Sequence, residues 1–180
     1  MKNILTSLLI ISIVFTSCKK DNTTDLRPAN NYTSWTTTIN NDDNGYYSQK
    51  APNGNEFSGG IWGSMGSFGL NTLSSDAFKF DANNDPVEAQ QIAIEFQSKP
   101  TVSQTYQLAP QNALSPSTCF FWFSGNPNVD YTAVYGQSVS VNVSGAIVSV
   151  SFSNITVEGQ EIFGSTTYTG KISGILHEGK

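Results

Sequence analysis

A strict alternation of apolar and small polar residues in the C-terminal half constrains this chain most. Valines alternate with polar residues over 139–143, and after Ser144-Gly145 the alternation resumes over 148–152. A period of two places successive side chains on opposite faces of a β-strand, whereas an amphipathic helix needs a period near 3.6. The segment therefore predicts an antiparallel hairpin with one buried face and one wet face.

The same alternation extends beyond this hairpin. In QIAIEFQSK, residues Ile92, Ile94 and Phe96 share one side of a predicted strand. The parity of the apolar positions slips after the hairpin, which predicts a bulge near Asn154. Glu158-Gly159-Gln160 is interpreted as a turn that leads into the last strand.

Two glycines fall on the inward side of that last strand. Gly170 and Gly174 alternate with Ile172 and Leu176. A glycine on the packed face of a strand indicates that another backbone or a bulky ring lies close to it. We therefore expect a tight contact at both positions.

No amphipathic helix longer than two turns can be found in the sequence. About eight to ten short strands in one antiparallel system predict an all-β domain. Alternation alone leaves two architectures open, an antiparallel sandwich and a partly closed barrel. The strand over 118–124 is apolar on both faces, so it is either covered on both sides or presents an aromatic surface.

The first twenty residues have the character of an export signal. Lys2 is followed by an apolar run over 4–15 and then by the small residues Thr16 and Ser17, before Cys18. About a dozen residues at about 1.5 Å rise are too short to cross a hydrocarbon core of about 30 Å. The run is therefore predicted to be a cleaved signal peptide and not a membrane span.

Phe15-Thr16-Ser17-Cys18 resembles a bacterial lipoprotein box, and the following Lys19-Lys20-Asp21 looks like lipoproteins of the Bacteroidota. Phe15 departs from the aliphatic residue that is usual at its position. The resemblance implies cleavage of residues 1–17, lipidation of Cys18, a flexible tether over 18–31 and a single β-domain over 32–180. Two or more acyl chains hold a protein firmly on a membrane.

The resemblance also implies an outer-membrane location, on either the periplasmic or the cell-surface face. The last third of the chain, from Gly136 through Phe152 to Gly174, is similar to small, functionally uncharacterised all-β lipoproteins of the same group. That similarity implies an envelope β-domain and supplies no site residue.

Charge and cysteine content restrict the classes of partner. Lys and Arg number 9 against 14 Asp and Glu, for a net charge of −5. No basic block follows Lys19-Lys20, which argues against nucleic acid as a partner. If Cys18 is lipidated, Cys119 has no intramolecular partner, and its apolar surroundings predict a buried hydrophobe instead of a reactive thiol.

Residues for common catalytic machinery are sparse. His177 is the only histidine, no Gly-x-Ser-x-Gly motif occurs, and we expect His177 to lie at a fraying strand end. One histidine and one unlipidated cysteine make a zinc site implausible. We therefore predict no metal, no cofactor and no catalytic residue.

Carboxylates are the remaining route to hydrolysis. A glycosidase needs two converging carboxyl groups, but the candidates Glu56, Glu95 and Glu161 fall in different strands or turns. Glu95 is expected to be a solvated charge. Asp81-x-Asn83-x-Asp85 begins like a calcium loop, but proline follows where the loop requires glycine, so a hairpin loop fits better.

The tryptophans offer the best functional candidates. Trp62, in a glycine-rich stretch, and Trp122, in the apolar strand, are predicted either to bind a ligand or to pack in the core. The favoured function is a non-catalytic envelope domain that binds a protein or another ligand. Two alternatives stay open, a carbohydrate-binding surface lipoprotein of a glycan-uptake system and a small glycan hydrolase that uses carboxylates.

Overall fold

The computed structural model describes residues 33–40, 42–47, 60–64, 66–82, 85–125, 129–161 and 164–179. These residues form eleven strands and one short 3₁₀ helix, Gln111–Ala113. The strands are β1 Ser34–Ile39, β2 Asp42–Tyr47, β3 Ile61–Trp62, β4 Thr72–Phe80, β5 Pro86–Phe96, β6 Gln104–Leu108, β7 Thr118–Gly125, β8 Val129–Ala133, β9 Ser138–Ser144, β10 Ile147–Glu161 and β11 Thr167–His177. The all-β prediction is confirmed.

The strands join into one sheet that closes on itself. The pairing order runs β11-β1-β2-β4-β5-β7-β6-β9-β10, and β10 pairs again with β11. The ring has its fewest paired residues between β2 and β4. Among the described residues, only Tyr47 and Phe78 pair there. The architecture is therefore a partly closed barrel, which removes most exposed sheet edges.

Strand β8 bridges two strands of this ring. Its residues pair with the second half of β7 on one side and with the second half of β10 on the other. The pair β6 and β9 fills the corresponding space at the other end of β7 and β10. Counted around the ring, the sheet therefore has eight strands at the end that contains β8. It has nine at the opposite end, which contains β6 and β9.

One pairing departs from the predicted antiparallel system. β6 and β7 run parallel, with Leu108 opposite Cys119. The chain between them crosses through the 3₁₀ helix instead of reversing in a hairpin, so β7 enters the sheet in the same direction as β6. Two-residue β3 also raises the number of strands above the eight to ten predicted.

Inward side chains fill the barrel as the alternation predicted. Phe123 and Tyr131 stack with centroids 4.6 Å apart and planes 6° apart, and Phe121 packs edge-on against Phe152 at 5.1 Å. The residues with the largest fully buried side chains are Trp35, Phe96, Phe121, Phe123, Leu73, Ile92, Ile94, Ile172, Leu176, Val139 and Val148. Burial of this much apolar surface is the main force that stabilises such a fold.

The predicted hairpin and bulge are both confirmed. β9 pairs with β10 so that Ser151 lies opposite Ser140, and the register slips between Phe152 and Ile155. Asn154, at that slip, has φ of 51°, a left-handed conformation that asparagine tolerates better than most residues. The bulge restores inward orientation to the apolar residues that follow it.

The turn predicted at Glu158-Gly159-Gln160 is wrong. β10 continues through these residues to Glu161, and Gly159 pairs with both Tyr131 and Tyr168. A β-carbon at Gly159 would lie 2.5 Å from Cδ1 of Tyr131. Glycine at this position therefore leaves space for the Tyr131 ring and does not form a turn.

The expected tight contacts at the two glycines of β11 are confirmed. A β-carbon on Gly170 would meet the carbonyl oxygen of Thr38, 2.5 Å away, and one on Gly174 would meet the Cα of Trp35, 2.6 Å away. Both obstacles belong to β1, the strand that pairs with this part of β11. Only glycine leaves room for β1 at these positions.

Hydrogen bonds hold the end of β11 to the neighbouring parts of the chain. Glu178 accepts a hydrogen bond from the Val148 N–H at 2.9 Å and one from Lys99 Nζ at 2.5 Å. The His177 N–H donates to Thr33 Oγ1 at 2.9 Å, and Gly60 bridges to Glu178. The prediction that His177 lies at a fraying end is therefore wrong, because His177 and Glu178 both bond to neighbouring parts of the chain.

Acidification should weaken this fastening. Partial burial by itself raises the pKa of Glu178, but the hydrogen bonds from Lys99 and Val148 outweigh it and hold the pKa below its usual value. A carboxylate with a lowered pKa contributes stability above its ordinary pKa of about 4.3, and that contribution is lost as the pH falls through the lowered pKa. Glu178→Gln should cost about 1 kcal/mol at pH 7, since the ion pair is partly screened by solvent.

Urea denaturation at pH 7 and at pH 3 measures this effect. The difference between Glu178→Gln and wild type should shrink at pH 3, because the wild-type carboxylate gains protons as the pH falls toward its lowered pKa. Glu158→Gln, at an exposed position of β10, is the matched control and should stay close to wild type at both pH values. An equal loss at pH 3 and pH 7 would show that Glu178 acts through packing and not through its charge.

Candidate functional site

The outward face of β7 carries two aromatic residues, Phe120 and Trp122, at alternate positions. Phe68, in the loop between β3 and β4, lies over both, with ring centroids 6.0 Å from Phe120 and 5.5 Å from Trp122. The neighbouring Ala93, although it belongs to the outward face of β5, is completely buried. The strand is therefore covered on both sides at this point, which was one of the two interpretations of its sequence.

Glu95 holds that loop in place. Its carboxylate accepts hydrogen bonds from the Gly69 N–H at 2.9 Å and from Gln111 Nε2 at 2.7 Å. A β-carbon at position 69 would lie 2.7 Å from the same carboxylate, so the glycine permits the close approach. The interpretation of Glu95 as a solvated charge is wrong, because the outward direction of its side chain leads to two hydrogen-bond donors and not to open water.

An open groove of about 490 Å³ runs beside this covered patch. We name it the aromatic groove, and its lining residues are Ser67, Pro110, Gln111, Asn112, Phe120, Thr132 and Tyr135. None of them carries a charge. Tyr135 is 52% exposed. The volume of the groove falls in the range of about 300–1,000 Å³ that is common for ligand sites.

A second groove, of about 500 Å³, lies on the outward side of β8, β10 and β11. We name it the acidic groove, and its lining residues are Asp130, Thr132, Glu158, Gly159, Gln160, Thr167, Tyr168 and Thr169. Thr132 lines both grooves. It pairs with Trp122 on one side and with Glu158 on the other, so the two grooves adjoin across β8.

The two tryptophans predicted as site residues occupy different surroundings. Trp122 belongs to the covered outward patch. Trp62 instead packs against the core beside Phe96, at 6.0 Å between centroids, with Lys99 Nζ 4.9 Å from its ring. Its buried indole N–H has no partner at hydrogen-bonding distance among the described residues, and it lies near Glu178, whose pKa it helps to lower.

The buried cysteine has little capacity for nucleophilic chemistry. Cys119 is a free, fully buried cysteine, and burial raises the pKa of its thiol to about 12. The prediction of a buried hydrophobe is confirmed. Partial burial lowers the pKa of His177. Within the described part of the chain no group of three or more His, Cys, Asp or Glu residues is arranged to hold a metal ion.

The remaining predicted residues lie either outside the described residues or in local hydrogen bonds. Cys18, the tether over 18–31 and Glu56 lie outside the described residues. Glu95 and Glu161 lie within them but are used locally, since Glu161 accepts a hydrogen bond from the Tyr168 hydroxyl at 2.9 Å.

The groove residues that the sequence did not reveal come from separate segments. Tyr135 follows β8, Gln111 and Asn112 belong to the 3₁₀ helix, and Asp130 and Glu158 stand on adjacent strands. The alternation of β8 and of β10 gives the outward direction of the two carboxylates. The pairing of those two strands, which spans a long stretch of sequence, was needed to bring them together.

Comparison with known proteins identifies no relative: no protein-family model, no curated protein and no solved structure matches this chain. Among the described residues, no helix has the length and apolar character needed to span a membrane.

Proposed function

We propose that this protein is a lipid-anchored envelope protein whose β-domain binds a ligand or partner, without catalysis, in the aromatic groove. The observation that carries the proposal is the combination of a half-exposed Tyr135 ring with neutral polar side chains around one open groove. In binding sites a small number of placed polar groups fixes the orientation of the ligand beside an aromatic surface.

The support of the groove by Glu95 adds to this proposal. The carboxylate joins the Phe68 loop to Gln111, and Gln111 Nε2 also donates to the Ser67 carbonyl oxygen at 3.2 Å. One wall of the groove is thereby fixed before any ligand arrives. A preformed site avoids the entropic cost of ordering its side chains on binding.

The proposed anchor rests on the lipoprotein box that ends at Cys18. Lipid attachment at this cysteine, followed by the polar tether, holds a domain at a membrane surface without a spanning helix. The groove then faces whatever the envelope contains on that side. Periplasmic and cell-surface presentation both fit this proposal.

Photo-crosslinking in cells that make the full chain tests the anchor and the groove together. Benzoylphenylalanine at position 112 should give a discrete adduct, whereas the same group at Val102, an exposed position outside both grooves, should give none. Cys18→Ala should move the protein out of the membrane fraction, because the acyl chains are lost. Equal labelling at positions 112 and 102, or a Cys18→Ala protein that stays with the membrane, contradicts the corresponding half of the proposal.

A second candidate, the glycan hydrolase, is favoured by one observation. Asp130 and Glu158 line one groove from adjacent strands, and diagonal neighbours across an antiparallel pair lie about 7–8 Å apart. That distance joins the two backbone positions, from which the carboxyl groups can reach the separation of about 6.5–9.5 Å found in inverting glycosidases. Release of reducing ends from glycan substrates, abolished by Asp130→Asn or Glu158→Gln, would establish this candidate and overturn the non-catalytic one.

A further inference from the structure

The two grooves meet at Thr132 on the same face of the sheet. A row of paired residues crosses the strands there, from Trp122 through Thr132 and Glu158 to Thr169. We propose that the aromatic and acidic grooves form one path that binds a single chain of neutral polysaccharide, lying across the strands. This inference rests on the proposed binding function and names its ligand class.

The aromatic end of the path suits the apolar face of a sugar ring. Tyr135 is 52% exposed and is the ring available for stacking, whereas Phe120 lines the same groove with only 8% of its surface exposed. The C–H groups on one face of a pyranose pack against the π-face of an aromatic ring, whereas its hydroxyl groups point outward around the rim. An exposed tyrosine ring with polar side chains around it therefore matches both parts of a sugar.

Polar groups at that end are available to sugar hydroxyls. The Gln111 amide nitrogen is used by Glu95 and by the Ser67 carbonyl oxygen, which leaves its amide oxygen as an acceptor that points to no other described residue. The Asn112 amide is exposed in the same groove. An amide supplies donors and an acceptor, and a sugar hydroxyl can take either part.

The acidic end favours a ligand with hydroxyl donors and no negative charge. Asp130 and Glu158 stand among threonine and glutamine side chains. Carboxylates accept hydrogen bonds from hydroxyl groups, but they repel an anionic polymer, as does the net charge of −5 of the whole chain. The uncharged aromatic groove offers a cationic peptide no partner, so a neutral glycan fits the whole path best.

Calorimetric titration of the full lipidated protein in detergent tests the single path. The probes are the disaccharides and hexasaccharides of α-1,4-glucan, β-1,4-glucan, β-1,3-glucan and β-1,4-xylan, with hexalysine as the charged comparison. At least one hexasaccharide should bind about tenfold more tightly than its own disaccharide, because it occupies both grooves. Tyr135→Ala should weaken binding of both lengths by about tenfold.

The acidic end is tested by a length-dependent loss. Glu158→Gln should weaken only the hexasaccharide, by about three- to tenfold, and Val102→Ala should change neither length. Equal affinity for both lengths overturns the single path. If no neutral glycan binds, or if hexalysine binds instead, the glycan inference fails. The proposed function still stands in that event provided that position 112 gives its discrete adduct.

Discussion

Gly174→Val should destabilise the domain by about 3 kcal/mol or more, a large share of the stability of a typical domain. The first atom of any side chain here would meet the Cα of Trp35, 2.6 Å away, and the carbonyl oxygen of Ser34. These are backbone atoms of β1, which cannot turn aside as a flexible side chain would. The strand pair β1–β11 would therefore have to separate at this position of the ring.

Urea denaturation of the purified protein, followed by circular dichroism, measures this loss. Gly174→Ala should show a smaller loss in the same direction, because its single β-carbon already overlaps β1. Ser151→Val, at an exposed position of the adjacent β10, is the matched control and should stay within about 0.5 kcal/mol of wild type. A Gly174→Val protein with wild-type stability would show that β1 does not pack against β11 in this way.

The second large effect concerns the one tryptophan inside the barrel. Trp35 is 2% exposed, and its indole N–H donates to Gln90 Oε1 at 3.0 Å. Trp35→Phe leaves a cavity and removes the donor from a buried acceptor. We expect a loss of about 2–4 kcal/mol in the free energy of unfolding.

The same substitution on the outer face provides the comparison. Trp122→Phe keeps an aromatic ring against Phe68 and should cost less than about 1 kcal/mol. Gln90→Leu combined with Trp35→Phe should recover part of the loss, because no polar atom then remains unpaired. Guanidinium denaturation of the four proteins measures these differences, and equal losses for Trp35→Phe and Trp122→Phe would contradict the assigned burial.

The surroundings of the tryptophans show why residue type alone does not locate an exposed surface. The size of tryptophan and its frequent use in ligand binding favour Trp62 and Trp122 as site residues, but Trp62 packs on the core and Trp122 lies beneath Phe68. Tyr135 is the exposed ring of the aromatic groove, and its local sequence does not distinguish it. The exposure of a side chain depends on which loop covers it. The periodicity of a strand does not predict that loop.

Glu95 illustrates the same difference for a charged residue. Its alternation correctly gives the outward side of β5. Its function as the support of Gln111 and of the Phe68 loop depends on two segments, one before and one after β5 in the chain. An outward glutamate on an isolated strand is a solvated charge, and only its neighbours change that.

Local sequence is enough to predict the all-β class, the hairpin of β9 and β10, the bulge at Asn154 and the tight contacts at Gly170 and Gly174. Each depends on backbone geometry that repeats every two residues or on a local steric limit. Only the folded chain shows how the sheet closes, that β7 enters parallel to β6 and that the two grooves meet at Thr132. Those features depend on which distant strands pair, and the free energy of that choice is shared among many weak contacts across the whole barrel.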